Sequence, residues 1–428
     1  MDNATIPLLF LFLGLLVSGM WIPFAVGISA VAYLVHAGGL PSLTSLGLVS
    51  WGSMNSFTLT AIPLFIFMAE ILLESGLSQR IFRGLSQVVK FLPGGLLHTN
   101  IAACAVFSAV SGSSVACAAS IGTVSTPQLK KRGYNMSLAA GTLAAGGTLG
   151  ILIPPSIAMI VYGTFAETSI AKLFLAGVIP GLILTLLFMI YVGIRATINP
   201  SLAPSERNQE AIPWLSVIND VVPFVVMITL LMGSLYSGVV TPTEAAALGC
   251  CIAWLVSKIW GEMDLGVLRR AMRKSIIATG SILFVVYAAF LFSYAIGMAG
   301  IAKEISSSVT EAGVSREMFL LFVVLALIVL GCFVDSMGMM VITVPILLPS
   351  LIAYNIDPVW FGVLIVLLVE LGQVTPPMGM NLFVIKNISG ESLSSVIQGT
   401  APFYLLYLLL ILLIYLFPQI VLWLPGLS

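Results

Sequence analysis

The sequence predicts an all-α, polytopic integral membrane protein built on an internal repeat, with a re-entrant helical hairpin and a discontinuous helix in each half. The 428 residues are 59% hydrophobic and only 8% charged, with a mean hydropathy of +1.13, a balance foreign to water-soluble domains of this length. Apolar blocks follow one another with short polar connections. Two of them are interrupted by Pro-Pro at positions 222 residues apart, Pro154-Pro155 and Pro376-Pro377.

The apolar blocks run from about Ile6 to Val35, Leu59 to Leu73, Leu96 to Val106, Leu138 to Gly163, Leu173 to Ile194, Pro213 to Leu235, Ala245 to Ile259 and Ile276 to Met298. Five more follow: Phe319 to Leu330, Met337 to Ala353, Phe361 to Val369, Met378 to Ile385 and Pro402 to Leu424. At about 20 apolar residues per span this supplies roughly ten to fourteen embedded segments, some too short to cross the bilayer unaided. The first block lacks a basic n-region and continues past Trp21 and Pro23, so it reads as a retained span, not a signal peptide. It is either one bent span or two short ones around Gly19 to Pro23, and its lack of early Lys or Arg leans the N-terminus toward the periplasm.

Lys plus Arg and Asp plus Glu number 17 each, which offers nucleic acid no electrostatic footprint. Three basic clusters lie between blocks: Arg80, Arg83 and Lys90; Lys130, Lys131 and Arg132; Arg269, Arg270, Arg273 and Lys274. The positive-inside tendency places all three on the cytoplasmic face. The first sits in LSQRIFRGLSQVVKFL, whose apolar residues recur near helical spacing, so it reads either as an interfacial amphipathic helix or as a cytoplasmic loop. The five cysteines (Cys104, Cys117, Cys250, Cys251, Cys332) lie in apolar stretches without metal-ligand spacing and are expected to be small packing residues. The polar stretch Asn199 to Ala211 reads as a linker between two halves.

The offset of 222 extends well beyond the prolines. Leu149, Gly150, Ile153, Pro154 and Pro155 fall on Leu371, Gly372, Thr375, Pro376 and Pro377; Ser113 and Ser114 fall on Asp335 and Ser336; Pro127 falls on Pro349. Upstream of each Pro-Pro lies a small or polar segment able to turn inside the membrane, FSAVSGSSVACA from Phe107 and GCFVDSMGMM from Gly331. Proline has no amide donor and blocks the helical bond to the preceding turn, so each break should leave carbonyl oxygens unpaired at membrane depth. Such backbone lines cavities, where carbonyls coordinate cations and half-helix N-termini favour anions. Two equivalent breaks therefore predict two cation sites around one anion site. Asp335, Glu370, Gln373, Thr375 and Asn381 in the second unit, and Ser108, Ser111, Ser113 and Ser114 in the first, are the intramembrane polar residues of a lined pocket. Glu70, Glu74 and Glu244 sit near block ends and are read as structural acids.

The strings FSAVSGSSVA from Phe107, GILIPPS from Gly150, GVVTPTEAAALG from Gly238 and VTPPMGMNLFV from Val374, in this order, resemble the large membrane subunit of the tripartite ATP-independent periplasmic (TRAP) transporters, dicarboxylate-type branch. The likeness covers essentially the whole chain. It implies an inverted-repeat, elevator-type ion-transporter fold in the bacterial inner membrane. It also implies sodium-driven uptake of a small organic anion (a carboxylate, sugar acid or sulfonate), together with a small four-helix membrane subunit and a soluble periplasmic substrate-binding protein. No fused small subunit precedes residue 1, so that subunit is expected to be a separate polypeptide.

Carried over position by position, the resemblance places a first sodium site at Ser108, Ser111, Gly150, Ile153 and Pro155, and a second at Gly331, Gly372, Thr375 and Met378. Asp335, Ser114 and Asn381 are the substrate-binding candidates, with Asp335 able instead to orient a donor or help hold sodium. Sodium is the implied coupling ion, and no organic cofactor is expected. The expected division is scaffold spans and an interfacial arm over 1–90, a first transport repeat over 91–170, scaffold spans and linker over 171–275, a second repeat with its arm over 276–395, and a scaffold span over 396–428.

A proton- or sodium-coupled symporter of the citrate or divalent-anion type, working without a binding protein, is the alternative carrier. A channel would be expected to offer a symmetric filter ring, which the sequence lacks. An enzyme would need a catalytic constellation, and His36 and His98 lie apart from the polar clusters, so enzymatic activity is not expected.

Overall fold

A computed structural model describes residues 5–204 and 213–427. Most of the expected linker, from 205 onward, lies outside the described residues. Among those described the protein is all-helical: α1 (Thr5–Val17), α2 (Ile22–Gly38), α3 (Thr44–Met54), α4 (Ala61–Glu74), α5 (Leu77–Val89), α6 (Leu96–Ser111), α7 (Ser114–Lys131), α8 (Met136–Leu152), α9 (Ile157–Phe165) and α10 (Ile170–Ile198) in the first half. The second half contains α11 (Trp214–Tyr236), α12 (Pro242–Trp260), α13 (Leu265–Ala299), α14 (Ile301–Glu311), α15 (Arg316–Gly331), α16 (Ser336–Ala353), α17 (Pro358–Val374), α18 (Met380–Ser389), α19 (Leu393–Leu416) and the short α20 (Gln419–Leu422). Among the described residues six helices are long and apolar enough to span a bilayer, or up to eight if each of two bent pairs is one span.

The helix starts are written locally, in side-chain oxygens that accept the orphan amides of the first turn. Ser113 caps α7 and Asp335 caps α16; Asn135 caps α8 and Asp357 caps α17. Both pairs are equivalents under the 222-residue offset. The same shift applied to the bounds of α7 and α8 gives the bounds of α16 and α17. At the start of α12, Thr241 and Glu244 form a reciprocal capping box, which explains why the TPTE string marks a helix boundary.

Of the two alternatives for the first apolar block, the structure has the two short helices, parted by Gly19, whose φ of 79° ends α1. Two expectations are corrected. The stretch between the first two blocks, read as connection, contains α3, which forms with α4 a pair bent by 58°; its Ser and Gly content hid it. Cys251 is exposed, unlike the fully buried Cys104 and Cys117.

Packing separates lipid-facing from protein-facing stripes. On α10, Leu182, Leu186, Ile190 and Ile194 point outward while Leu184, Phe188 and Val192 are buried, and Phe188 meets the rings of Phe403 and Tyr407 on α19 edge-on. α8 is buried along nearly its whole length and packs against α6, α7, α17, α18 and α19. Small residues permit this: a Cβ on Gly141 would sit 2.1 Å from the carbonyl oxygen of Gly399, a backbone approach open only to glycine.

The segment LSQRIFRGLSQVV is a helix, α5, with Leu77, Ile81, Phe82, Leu85 and Val89 buried. Its arginines are tied down. Asp220 on α11, with 1% of its side chain exposed, accepts from Arg80 Nε at 3.0 Å and Arg83 Nε at 2.7 Å. At the same end Glu74 pairs with Arg270 at 2.8 Å and Lys274 at 2.5 Å, and Lys130 Nζ donates to the Ser389 carbonyl at 2.5 Å. A polar cavity of about 1210 Å³, lined by Arg80, Arg83 and Arg132 among others, lies between α5 and α7.

Candidate functional site

In the first repeat α6 and α7 form a hairpin whose tip is Gly112, at φ 60°. The chain beyond α8 breaks over Ile153 to Ser156, with a cis Pro154-Pro155 bond, and α9 resumes at an angle of 43° to α8. Ser156 restarts the helix by accepting the amide of Met159 at 3.2 Å. Tip and break touch: Ile157 N donates to the Gly112 carbonyl at 3.4 Å, and a Cβ on Gly112 would sit 3.0 Å from the Pro155 oxygen. A Cβ on Gly150 would lie 2.6 Å from the Ser113 oxygen, so glycine lets the helix end rest on the hairpin backbone.

The second repeat uses the same parts. α15 and α16 form a hairpin turning through Cys332 to Asp335, and the chain beyond α17 breaks over Thr375 to Gly379 with a cis Pro376-Pro377 bond. Met378 N donates to the Cys332 carbonyl at 3.2 Å, and a Cβ on Gly372 would sit 2.7 Å from the Gly331 oxygen.

The structure therefore brings Ser111, Gly150 and Pro155 to one tip-and-break junction, and Gly331, Gly372 and Met378 to another. Several candidate side chains already make hydrogen bonds of their own. Ser108 Oγ donates back to the Cys104 carbonyl at 2.6 Å within α6, Ser111 Oγ donates to the Ser113 carbonyl at 3.5 Å, and Thr375 Oγ1 donates to the Leu371 carbonyl at 2.6 Å. Each hydroxyl keeps acceptor capacity beyond the bond it donates. Ile153 turns its side chain toward Gly181 on α10. Asp335 caps α16, accepting from Met337 N at 3.1 Å. Asn381 is fully buried, with its amide nitrogen 3.5 Å from the Ala144 carbonyl and its oxygen without a partner. Ser114 is buried at the start of α7.

The expectation that the breaks leave their carbonyls unpaired needs correction in the second repeat. The Tyr404 hydroxyl donates to the Val374 carbonyl at 2.6 Å, and Thr375 N donates to the Gly372 carbonyl at 3.1 Å. In the first repeat Pro154 and Pro155 deny the Gly150 and Ile151 carbonyls their helical donors. Backbone oxygens of this kind, grouped at a glycine-permitted close approach, are hard ligands suited to an alkali cation. Among the described residues no group of three or more His, Cys, Asp or Glu could hold a metal.

Sequence reading missed the two tyrosines of α19. Tyr404 reaches the second break, and Tyr407 hydrogen-bonds Thr148 near the end of α8. Their spacing of three puts both on one helix face, but nothing local says which carbonyl or hydroxyl they meet. Glu74 and Glu244 have the structural roles expected of them, in an ion pair and a capping box.

Comparison with known proteins adds the following. Residues 9–420 match the family model described as the tripartite ATP-independent periplasmic transporter, DctM component. The chain is 33% identical over 386 residues to the C4-dicarboxylate TRAP transporter large permease protein DctM of Pseudomonas aeruginosa, covering 90% of each chain. It is 30% identical over 429 residues to the sialic acid TRAP transporter large permease protein SiaM of Vibrio cholerae, covering 98% of each. In fold it is similar to the Alcanivorax borkumensis YdaH transporter, with a TM-score of 0.65 and 16% identity over 90% of both chains.

Proposed function

This chain belongs to the TRAP transporter family as a large membrane subunit of the DctM kind, a multi-pass protein of the inner membrane, and from that premise we propose that it performs sodium-coupled uptake of a small organic anion by an elevator mechanism. Its relatives are transporter permeases, not enzymes. A carboxylate, sugar acid or sulfonate fits the names its relatives carry, which include C4-dicarboxylate, sialic acid and isethionate permeases. A soluble periplasmic binding protein delivers the anion, and a small four-helix membrane subunit completes the assembly.

The observation that carries this reading is the pair of equivalent junctions between hairpin and broken helix. The first sodium site comprises Ser108, Ser111, Gly150, Ile153 and Pro155; the second comprises Gly331, Gly372, Thr375 and Met378. Asp335, Ser114 and Asn381 face the substrate. Inversion of the repeats is supported by charge: the hairpin α6–α7 returns to the basic end at Lys130 and Lys131. α13 starts from that end with Arg269 to Lys274 and runs 35 residues before α14 and the second hairpin follow, about 50 Å at 1.5 Å per residue. Residues 91–170 and 276–395 form the moving repeats, and 1–90, 171–275 and 396–428 the scaffold. A rigid carrier of this kind needs two positions of similar energy.

Uptake by proteoliposomes containing the full assembly, driven by a sodium gradient with no proton gradient, tests the proposal. Transport that follows the proton gradient alone, or proceeds without any binding protein, would instead favour the citrate or divalent-anion type of symporter.

A further inference from the structure

Between the two junctions, the middle of the fold contains a carboxylate that no positive charge answers. Glu370, on α17, is 0% exposed, and its oxygens make no hydrogen bond of good geometry, with the Ser114 hydroxyl approaching them. Its polar neighbours are Ser114 and Cys117 of α7 and Tyr407 of α19; Tyr407 in turn hydrogen-bonds Thr148, the residue equivalent to Glu370 in the first repeat. Among the described residues no lysine, arginine or histidine pairs with it. An ionised carboxylate in such a place is strongly disfavoured unless a positive charge meets it.

The surrounding orphans indicate what kind of charge. Gln373, one turn along α17 and on the same face, has an unpartnered Oε1, and Asn381 at the start of α18 has an unpartnered Oδ1. All four orphaned buried side-chain atoms of α17 and α18 (two from Glu370, one each from Gln373 and Asn381) are acceptors. A proton on Glu370 would remove the charge and supply one donor, enough for one further acceptor and no more. A cation placed among carboxylate and hydroxyl oxygens satisfies several together, and a predominantly oxygen environment with a single carboxylate suits a monovalent hard ion.

We propose that Glu370 anchors a further monovalent cation site at the seam between the two repeats, with the hydroxyls of Ser114, Thr148 and Tyr407 as its oxygen environment, additional to the two junction sites. The inference takes from the preceding reading only that sodium is the ion offered.

The test uses the full chain in lipid nanodiscs, thermally unfolded across a sodium chloride titration at constant ionic strength against N-methyl-D-glucamine chloride, with ²²Na⁺ binding counted in parallel. Glu370→Gln should melt at or above the wild type without sodium, because its unmet charge is gone. It should lose part of the sodium-induced rise and bind one ²²Na⁺ fewer per chain. Glu370→Asp retains the charge on a shorter arm and should raise the half-saturating sodium at least about tenfold; if Glu370→Gln does not fold, this variant decides. A sodium response in Glu370→Gln superimposable on the wild type, at any melting temperature, overturns the proposal. So does an equal loss of stability at every sodium concentration. Thr375→Ala and Ser111→Ala, run alongside, separate the two ideas. If they lose sodium response while the Glu370 variants do not, the junction sites stand and this one falls; if only the Glu370 variants lose it, this site stands and the junction sites fall.

Discussion

Gly372 packs its backbone on Gly331 so closely that a Cβ built on Gly372 would lie 2.7 Å from both the Cα and the carbonyl oxygen of Gly331. Neither atom belongs to a movable side chain, so relief requires the hairpin tip and the broken helix to part. Gly372→Ala should therefore destabilise the protein by roughly 1–3 kcal/mol, the usual range for overpacking, and abolish transport. Gly150→Ala, facing the Ser113 oxygen at 2.6 Å, should do the same. Thermal unfolding and proteoliposome uptake check both; wild-type uptake in either variant would separate the close approach from function.

Thr375→Ala and Ser111→Ala remove a hydroxyl beside each proposed sodium site while costing only one modest hydrogen bond, about 0.5–1.5 kcal/mol. Folded yield and melting temperature should change little. The sodium concentration for half-maximal uptake should rise, and unchanged sodium activation in both would refute the assignment of the junctions.

Tyr404→Phe deletes the donor that reaches the Val374 carbonyl at 2.6 Å. An acceptor left without its partner in a buried setting costs about 1–3 kcal/mol, and the freed carbonyl lies immediately before the second break. Sodium affinity should shift in Tyr404→Phe and stay near wild type in Thr400→Ser, a change on the same helix. Sodium-dependent melting of the two variants makes the comparison.

Asp220→Asn leaves Arg80 and Arg83 without the carboxylate that gathers them. Loss of a fully buried partner is severe, but Arg83 is half exposed and partly screened, so a loss of roughly 1–3 kcal/mol is expected. Limited proteolysis should cut first near α5. A cleavage pattern identical to the wild type would show that α5 is held by its apolar face alone.

Much of this protein was legible before any fold was known. Hydropathy, the 222-residue offset and the two Pro-Pro pairs are properties of single residues and their spacing. The caps Ser113, Asn135, Asp335 and Asp357 are just as local, acting on amides two or three positions away, although in the sequence Ser113 and Asp335 read as pocket residues and the other two are passed over. The short α3 escaped because Ser and Gly blunt its apolar signal. The proposed ligands were named from the family resemblance, and spacing alone supports only the pairing of Gly150, Ile153 and Pro155 with Gly372, Thr375 and Pro377. The direction of each serine or threonine hydroxyl could not be read from either.

Tertiary structure decided which partner each of these groups meets. Tyr404 takes the Val374 carbonyl across 30 residues, Asp220 gathers Arg80 and Arg83 from about 140 residues away, and Glu370 is buried without a countercharge among the described residues. The physical reason is range. Backbone breaks and helix starts follow from covalent structure and bonds within a turn or two, and the sequence carries these directly. Desolvation and pairing of a polar group depend on every segment that packs around it, and that environment exists only once distant helices have met.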